Sequence, residues 1–149
     1  MVLWELKFGF LIKIFMLRPK KVKYNKARKI RIKRMEYRQN NVVFGSYGLK
    51  TLDGGKISSR QIEAVRRVIV RKLKRTGKLW IRIFPNVPIT AKPNEVRMGR
   101  GKGSVDQWVG VVKPGTIIYE IGSTKESLAQ KALMSGAKKL SMKCAFVTR

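Results

Sequence analysis

The fold is decided by Ser58-Ser59-Arg60-Gln61-Ile62-Glu63-Ala64-Val65-Arg66-Arg67-Val68-Ile69-Val70-Arg71-Lys72-Leu73-Lys74-Arg75-Thr76-Gly77, followed at once by Lys78-Leu79-Trp80-Ile81-Arg82-Ile83-Phe84. Ser58-x-x-Gln61 is a capping box, so a helix opens here. Ile62, Val65, Ile69 and Leu73 recur at three- and four-residue spacing and mark its packing face. Arg60, Arg67, Arg71, Lys74 and Arg75 gather on the opposite side, with Glu63 the only acid. Solvated helix faces usually mix signs, and a face this one-sided points to an anionic partner. Gly77 is expected to cap the helix. Lys78–Phe84 alternates as a strand, with Leu79, Ile81 and Ile83 on one side and Lys78, Trp80, Arg82 and Phe84 on the other. That second side offers cations and aromatics, or else covers a second apolar layer.

Outward from this helix–strand unit, Asn41–Lys50 reads as an irregular, bulged strand and Asp53-Gly54-Gly55 as a turn. Pro85–Pro93 reads as a stiff, extended connection. Gln107–Lys113 and Thr116–Ile121, joined by Pro114-Gly115, are expected to form a β-hairpin. Ser123-x-x-Glu126 suggests a second capping box, opening a helix that carries Leu128, Ala129, Ala132, Leu133, Gly136, Ala137 and Leu140. Met142–Thr148 alternates as a last strand with Met142, Cys144 and Phe146 inward. The expected fold class is α+β: a mostly antiparallel sheet with two packed helices over 41–149, preceded by a basic N-terminal arm.

The arm is the sharpest compositional break. Between Leu17 and Arg38, 11 of 22 residues are basic: Arg18, Lys20, Lys21, Lys23, Lys26, Arg28, Lys29, Arg31, Lys33, Arg34 and Arg38. Alone in water such a run is disordered, so 17–40 is read as a segment that a polyanion orders. Tyr24 and Tyr37 lie within it as candidate stacking residues. Residues 1–16 are apolar but carry Glu5, Lys7 and Lys13, and they are shorter than the ~20 residues of a membrane span. They are taken as a retained packing or anchoring extension, and no membrane span is expected.

The 149 residues hold 35 Lys and Arg against 8 Asp and Glu, a formal charge of +27, and no histidine. A free globular protein so charged repels itself, and a polyanion must be expected to neutralise it. With 44% hydrophobic residues the chain is too apolar to be a wholly disordered tail. The composition argues against an enzyme: there is no His-based acid or base, no metal site of the usual ligands, and no close carboxylate pair. No cofactor and no small-molecule substrate are expected. Cys144 alternates with Met142 and Phe146 and reads as a small buried residue in a reducing compartment.

One stretch stands apart: Val96-Arg97-Met98-Gly99-Arg100-Gly101-Lys102-Gly103-Ser104 interleaves glycines with cations. Glycine admits positive φ and close backbone approach, and the cations suit phosphates. It is not a nucleotide-binding P-loop, because Val96 stands where the first glycine is needed and Gly103 where the hydroxyl is needed. A solvated hairpin tip is the plain alternative.

Taken in order, Arg18-Pro19-Lys20, Phe44-Gly45-Ser46-Tyr47-Gly48, Ser59-Arg60-Gln61-Ile62-Glu63-Ala64-x-Arg66-Arg67, Gly77-Lys78-x-Trp80-Ile81-Arg82, Phe84-Pro85, Pro88-Ile89-Thr90-x-Lys92-Pro93, Val96-Arg97-Met98-Gly99-x-Gly101-Lys102-Gly103 and Phe146-Val147-Thr148 resemble the bacterial-type large-subunit ribosomal protein family L-sixteen. The resemblance spans 16–149. It implies a non-catalytic constituent of the large subunit, bound to its rRNA near the base of the central protuberance and the peptidyl-transferase centre. It also implies neighbouring ribosomal proteins as partners and a part in late subunit assembly. On this reading rRNA meets Arg18, Lys20, Lys21, Lys23, Lys26, Arg28, Lys29, Arg31, Lys33 and Arg34 of the arm, and Arg60, Arg67, Arg71, Lys74, Arg75, Lys78 and Arg82 beyond it. The loop Arg97, Met98, Gly99, Arg100, Gly101, Lys102 and Gly103 faces the tRNA and the peptidyl-transferase centre. In bacterial relatives the arginine matching Arg97 can be hydroxylated. Ala27–Arg34 lacks the glycines and histidine usual in the family's arm, and residues 1–15 precede the usual family start. With the Lys and Ile enrichment, these departures favour a mitochondrial ribosome, with plastid and bacterial ribosomes as alternatives. A free RNA-binding module or RNA chaperone is the competing function.

Overall fold

The computed structural model describes residues 17–32, 34–74 and 76–149. The apolar stretch 1–16 and the candidate contacts Lys33 and Arg75 lie outside the described residues. Seven strands and two helices follow in the order β1 (Tyr47–Thr51), β2 (Gly55–Ser58), α1 (Ser59–Lys72), β3 (Lys78–Ile81), β4 (Val87–Ala91), β5 (Ser104–Val112), β6 (Ile117–Gly122), α2 (Glu126–Ala137) and β7 (Cys144–Thr148). They form two antiparallel sheets, one in the order β3-β6-β1-β7 and one in the order β2-β5-β4. The α+β class expected from the sequence is the class observed.

Helix α1 begins as its sequence dictates. The Ser58 hydroxyl accepts from Gln61 N–H at 3.2 Å, and the Gln61 side chain accepts from Ser58 N–H at 2.9 Å. Ile62, Val65, Ile69 and Leu73 are all buried. They meet Leu49, Ile57, Val112, Ile118, Tyr119, Ile121 and the α2 residues Ala129, Ala132 and Leu133 in one core. Gly136 lets the helices close up: a Cβ there would stand 2.9 Å from Ile69 Cγ1. The buried Tyr119 hydroxyl donates to the Ile62 carbonyl at 2.8 Å, tying β6 to α1.

Several expectations are corrected. The helix ends at Lys72, with Lys74 in the left-handed region at φ +49°. Gly77 is not the cap; it starts the turn into β3 at φ +78°, where a Cβ would collide with Thr124 Cγ2. Ser123 does not cap α2: its own φ is +62°, the N-cap is Lys125, no side-chain bond closes that end, and the helix stops at Ala137, short of Leu140. Pro85–Pro93 contains a true strand, since Val87–Ala91 pairs with β5. The expected hairpin of Gln107–Lys113 with Thr116–Ile121 does not form, because β5 pairs with β2 and β4 while β6 pairs with β1 and β3. Thr51 enforces the split: its carbonyl accepts from Gly115 N–H at 2.7 Å and its N–H donates to the Thr116 carbonyl at 2.9 Å. The turn is thereby delivered to β1. Asn41–Ser46 is not strand, although the expected bulge exists between Leu49 and Lys50.

Strand β6 is buried along its whole length and yet contains Glu120, which is fully inaccessible. Successive strand residues face opposite ways, so with Tyr119 turned to α1, Glu120 points to the other side of the sheet. There the chain from Val43 to Gly45 crosses over it. One carboxylate oxygen accepts from Val43 N–H at 3.2 Å, Phe44 N–H at 2.6 Å and Gly45 N–H at 2.8 Å. The Arg82 guanidinium donates to the other oxygen at 2.5 Å and to the Asn41 carbonyl at 2.7 Å. Burial by itself raises the Glu120 pKa. The N–H groups of Gly45 and Phe44, the guanidinium and Val43 N–H outweigh that, and the carboxyl titrates below its ordinary 4.5.

Replacing one partner of a buried ion pair leaves an uncompensated charge, which costs about 3–5 kcal/mol. Arg82→Ala is therefore expected to lose about that much in urea unfolding, whereas an ordinary surface arginine changes stability by roughly 0.5 kcal/mol or less. The sign of the pH dependence follows from the depressed pKa. The Glu120 contribution is complete above the unfolded-state value of 4.5 and is lost as pH falls through the lower folded value. Wild-type stability should decline below pH 4.5, and Glu120→Gln should be less stable at pH 7 with a shallower acid limb.

Candidate nucleic-acid interface

The cations expected on the outer face of α1 are there. Arg60, Arg67, Arg71 and Lys74 are exposed. Arg66, Arg67, Arg71 and Lys74 with Val70 line an open groove of about 510 Å³ along the helix. Glu63 is spent within the helix: Arg66 grips it with two bonds of 2.8 Å and Arg67 donates to it at 3.0 Å. These bonds, Arg66's first, draw the Glu63 pKa down against the effect of burial. Arg71 and Lys74 are in none of the ion pairs of the described residues, and a groove of guanidinium and ammonium groups suits a phosphate backbone.

The arm runs over the protein without regular secondary structure, and Arg18, Lys20, Lys21, Lys23, Lys26, Arg28, Lys29, Arg31 and Arg34 are all exposed. Its far end is pinned by Glu36. Glu36 N–H donates to the Pro114 carbonyl at 2.9 Å, and the carboxylate takes Arg38 N–H at 3.0 Å and Lys113 Nζ at 3.4 Å. The Arg38 N–H bond is the main reason its pKa is lowered. Nearer the start, Arg18 and Lys26 of the arm meet Arg60 of α1 and Trp108 of β5 around a cleft of about 570 Å³. Arm and helix cations thus meet at this cleft.

The glycine-rich segment is the connection between the paired strands β4 and β5, so it is the tip of a hairpin. Residues 91–102 are exposed without a break, and Met98 is 94% exposed. Gly99 and Gly101 take φ of +95° and +88°, and nothing lies within 4 Å of a Cβ added at either. These glycines set the curvature of the tip rather than relieve a clash within the chain. Lys92 Nζ donates to the Gly99 carbonyl at 2.5 Å, bracing the tip from its own stem. Lys26 Nζ donates to the Lys102 carbonyl at 2.9 Å, and Lys102 Nζ donates to the Ala27 carbonyl. Arm and loop are therefore fastened to each other, a link that no local sequence pattern signals.

Two expected contacts sit differently. Arg82 faces inward, with a side chain only 11% exposed and paired to Glu120, so it does not join the free cations. Lys78 is exposed, but its ammonium lies 5.3 Å above the Trp80 ring. Residues not expected from the sequence include Lys56, which joins Arg28, Lys29 and Lys102 around a cleft of about 260 Å³, and Trp108. Alternation along β5 was the available signal for Trp108. Partial burial pushes the Cys144 thiol up to about 11, which keeps it protonated at neutral pH. Among the described residues no group of three or more His, Cys, Asp or Glu is placed to hold a metal ion, and no helix is long and apolar enough to cross a membrane.

The sequence profile of the family described as Ribosomal protein L16p/L10e matches residues 19–147. The chain is 52% identical over 134 residues to a protein of Sinorhizobium medicae (strain WSM419) named large ribosomal subunit protein uL16, covering 90% of this chain and 98% of that one. A protein of the same name from Rhizobium meliloti (strain 1021) matches equally, and one from Francisella tularensis subsp. holarctica (strain LVS) is 51% identical over the same length. The profile covers most of the chain and the relatives align over 90% of it, and the chain belongs to the ribosomal protein L16p/L10e family.

Proposed function

We propose that this chain is a structural, non-catalytic constituent of the large ribosomal subunit. In this role the arm 17–40 and the outer face of α1 bind large-subunit rRNA near the base of the central protuberance, and the tip 96–104 lies toward aminoacyl-tRNA and the peptidyl-transferase centre. The observation that carries the rRNA reading is the meeting of Arg18 and Lys26 with Arg60 around one cleft, while Arg66, Arg67, Arg71 and Lys74 line a groove along the same helix. Phosphate contacts of this kind supply affinity and register without reading sequence. The tip reading is supported by the left-handed glycines, which lie on a curved, exposed turn with Arg97 and Arg100. The family resemblance supports neighbouring ribosomal proteins as further partners and a part in completing subunit assembly. Within this reading residues 1–16 are an added segment, and the chain is longer than the 134 residues it shares with its relatives. Together with its Lys and Ile content, that segment favours a mitochondrial particle over a plastid or bacterial one.

Sucrose-gradient sedimentation of organelle and whole-cell lysates tests the assignment. Co-migration with the large subunit that survives high salt is expected, in the mitochondrial lysate. Migration in light RNA-containing fractions would instead favour a free RNA-binding module. The two surfaces separate by mutation. Arg71→Ala with Lys74→Ala should weaken rRNA binding and flatten its log–log salt dependence by roughly 0.9 for each phosphate no longer neutralised. Arg97→Ala should leave incorporation nearly intact and slow tRNA accommodation in a pre-steady-state assay. Subunits lacking the Arg97→Ala chain would show that the tip has been assigned wrongly.

A further inference from the structure

Phe44 is an aromatic side chain held rigidly in the open. It is 59% exposed, although the backbone that carries it is the segment clamped by the buried Glu120 carboxylate, with Phe44 N–H at 2.6 Å. Its ring stacks on Trp80 with centroids 6.4 Å apart and planes 23° from parallel. Trp80 in turn lies against Gly122, where an added Cβ would stand 3.0 Å from Cζ3, so the indole has a backbone floor. Cations flank both rings: Lys78 Nζ is 5.3 Å from the Trp80 centroid and the Arg82 guanidinium carbon 5.5 Å from that of Phe44. The pair sits at β3, the edge strand of its sheet among the described residues. A large ring already fixed in backbone and neighbours loses little entropy when something flat settles on it, which is the property of a binding anchor. Exposed aromatics bordered by cations are how proteins hold unpaired nucleotides, the base on the ring and the phosphate on the ammonium.

We propose that Phe44 and Trp80 form a stacking platform for one unpaired nucleotide of the large-subunit rRNA, with Lys78 positioned for its phosphate. The proposal rests on the ribosomal reading above and adds to it a contact to a base rather than to the backbone. The charge around the rings favours RNA over an apolar protein neighbour as the occupant.

The test compares wild type, Phe44→Leu and Phe44→Tyr in purified large subunits and in binding to a large-subunit rRNA transcript over a range of salt. Leucine keeps an apolar contact and removes the π face, whereas tyrosine keeps both. Phe44→Leu should lower affinity roughly 5- to 150-fold with an unchanged salt slope, and Phe44→Tyr should bind as wild type. Ultraviolet irradiation of wild-type subunits should cross-link the peptide containing Phe44 or Trp80 to a single rRNA nucleotide, and Phe44→Leu should lose that cross-link. Thermal unfolding of the free variants should match wild type, because the Glu120 clamp uses backbone N–H groups. If wild type is absent from large subunits, the ribosomal reading itself fails. If it is present but Phe44→Leu binds equally well, or the cross-link joins another protein, the platform alone is overturned.

Discussion

The structure depends on one buried carboxylate. Glu120 is an anion placed in the middle of a strand that is otherwise isoleucine, tyrosine and glycine, and an unpaired charge there would be prohibitive. Three backbone N–H groups and the Arg82 guanidinium satisfy it, adding to the backbone bonds that already join these segments to β6. Through Arg82 it fixes the end of β3, and through Val43–Gly45 it fixes the place where the basic arm leaves the sheet. The arrangement converts a costly group into a joint between core and appendage.

The same logic explains where the other acids go. Only eight carboxylates face 35 cations. Glu36, Glu63 and Glu120 hold ion pairs within the fold, and Asp53 accepts from Lys143 N–H at 3.4 Å. Negative charge is thus spent on positioning, and the remaining cations spread over the arm, the α1 face and the hairpin tip. Cations so distributed repel one another, and a polyanion beside them would relieve that repulsion. The reciprocal bonds between Lys26 and Lys102 join two of these surfaces, so that whatever orders the arm also restrains the base of the tip.

Much of this was legible in the sequence, and the misses have physical reasons. Helix α1 could be read because its cap, its apolar spacing and its one-sided charge are all local. The bulge in β1 was signalled by the glycines around Tyr47. Strand partnership was not legible: Gln107–Lys113 and Thr116–Ile121 look like a hairpin, yet Thr51, more than 60 residues away along the chain, takes the turn for the other sheet. The prolines of Pro85–Pro93 suggested a connection, but β4 lies at a sheet edge, where Pro88 can lack an N–H without breaking a ladder. Among the site residues, exposure of the arm and α1 cations followed from composition. The inward turn of Arg82 did not, since it is set by Glu120, a residue 38 positions on. A lone acid in an apolar strand was the available sign that some cation would be drawn in.

The buried core lies within residues 42–149, and on the proposed ribosomal reading rRNA orders the arm and the hairpin tip. Hydrogen–deuterium exchange of the free chain and of the chain within large subunits tests it most directly. Slow exchange is expected across α1, β6 and α2 in both states, with amides of 18–32 and 97–103 exchanging fast in the free chain and slowly in the subunit. Protection of 18–32 in the free chain, or fast exchange of α1 and β6 until RNA is added, would overturn this.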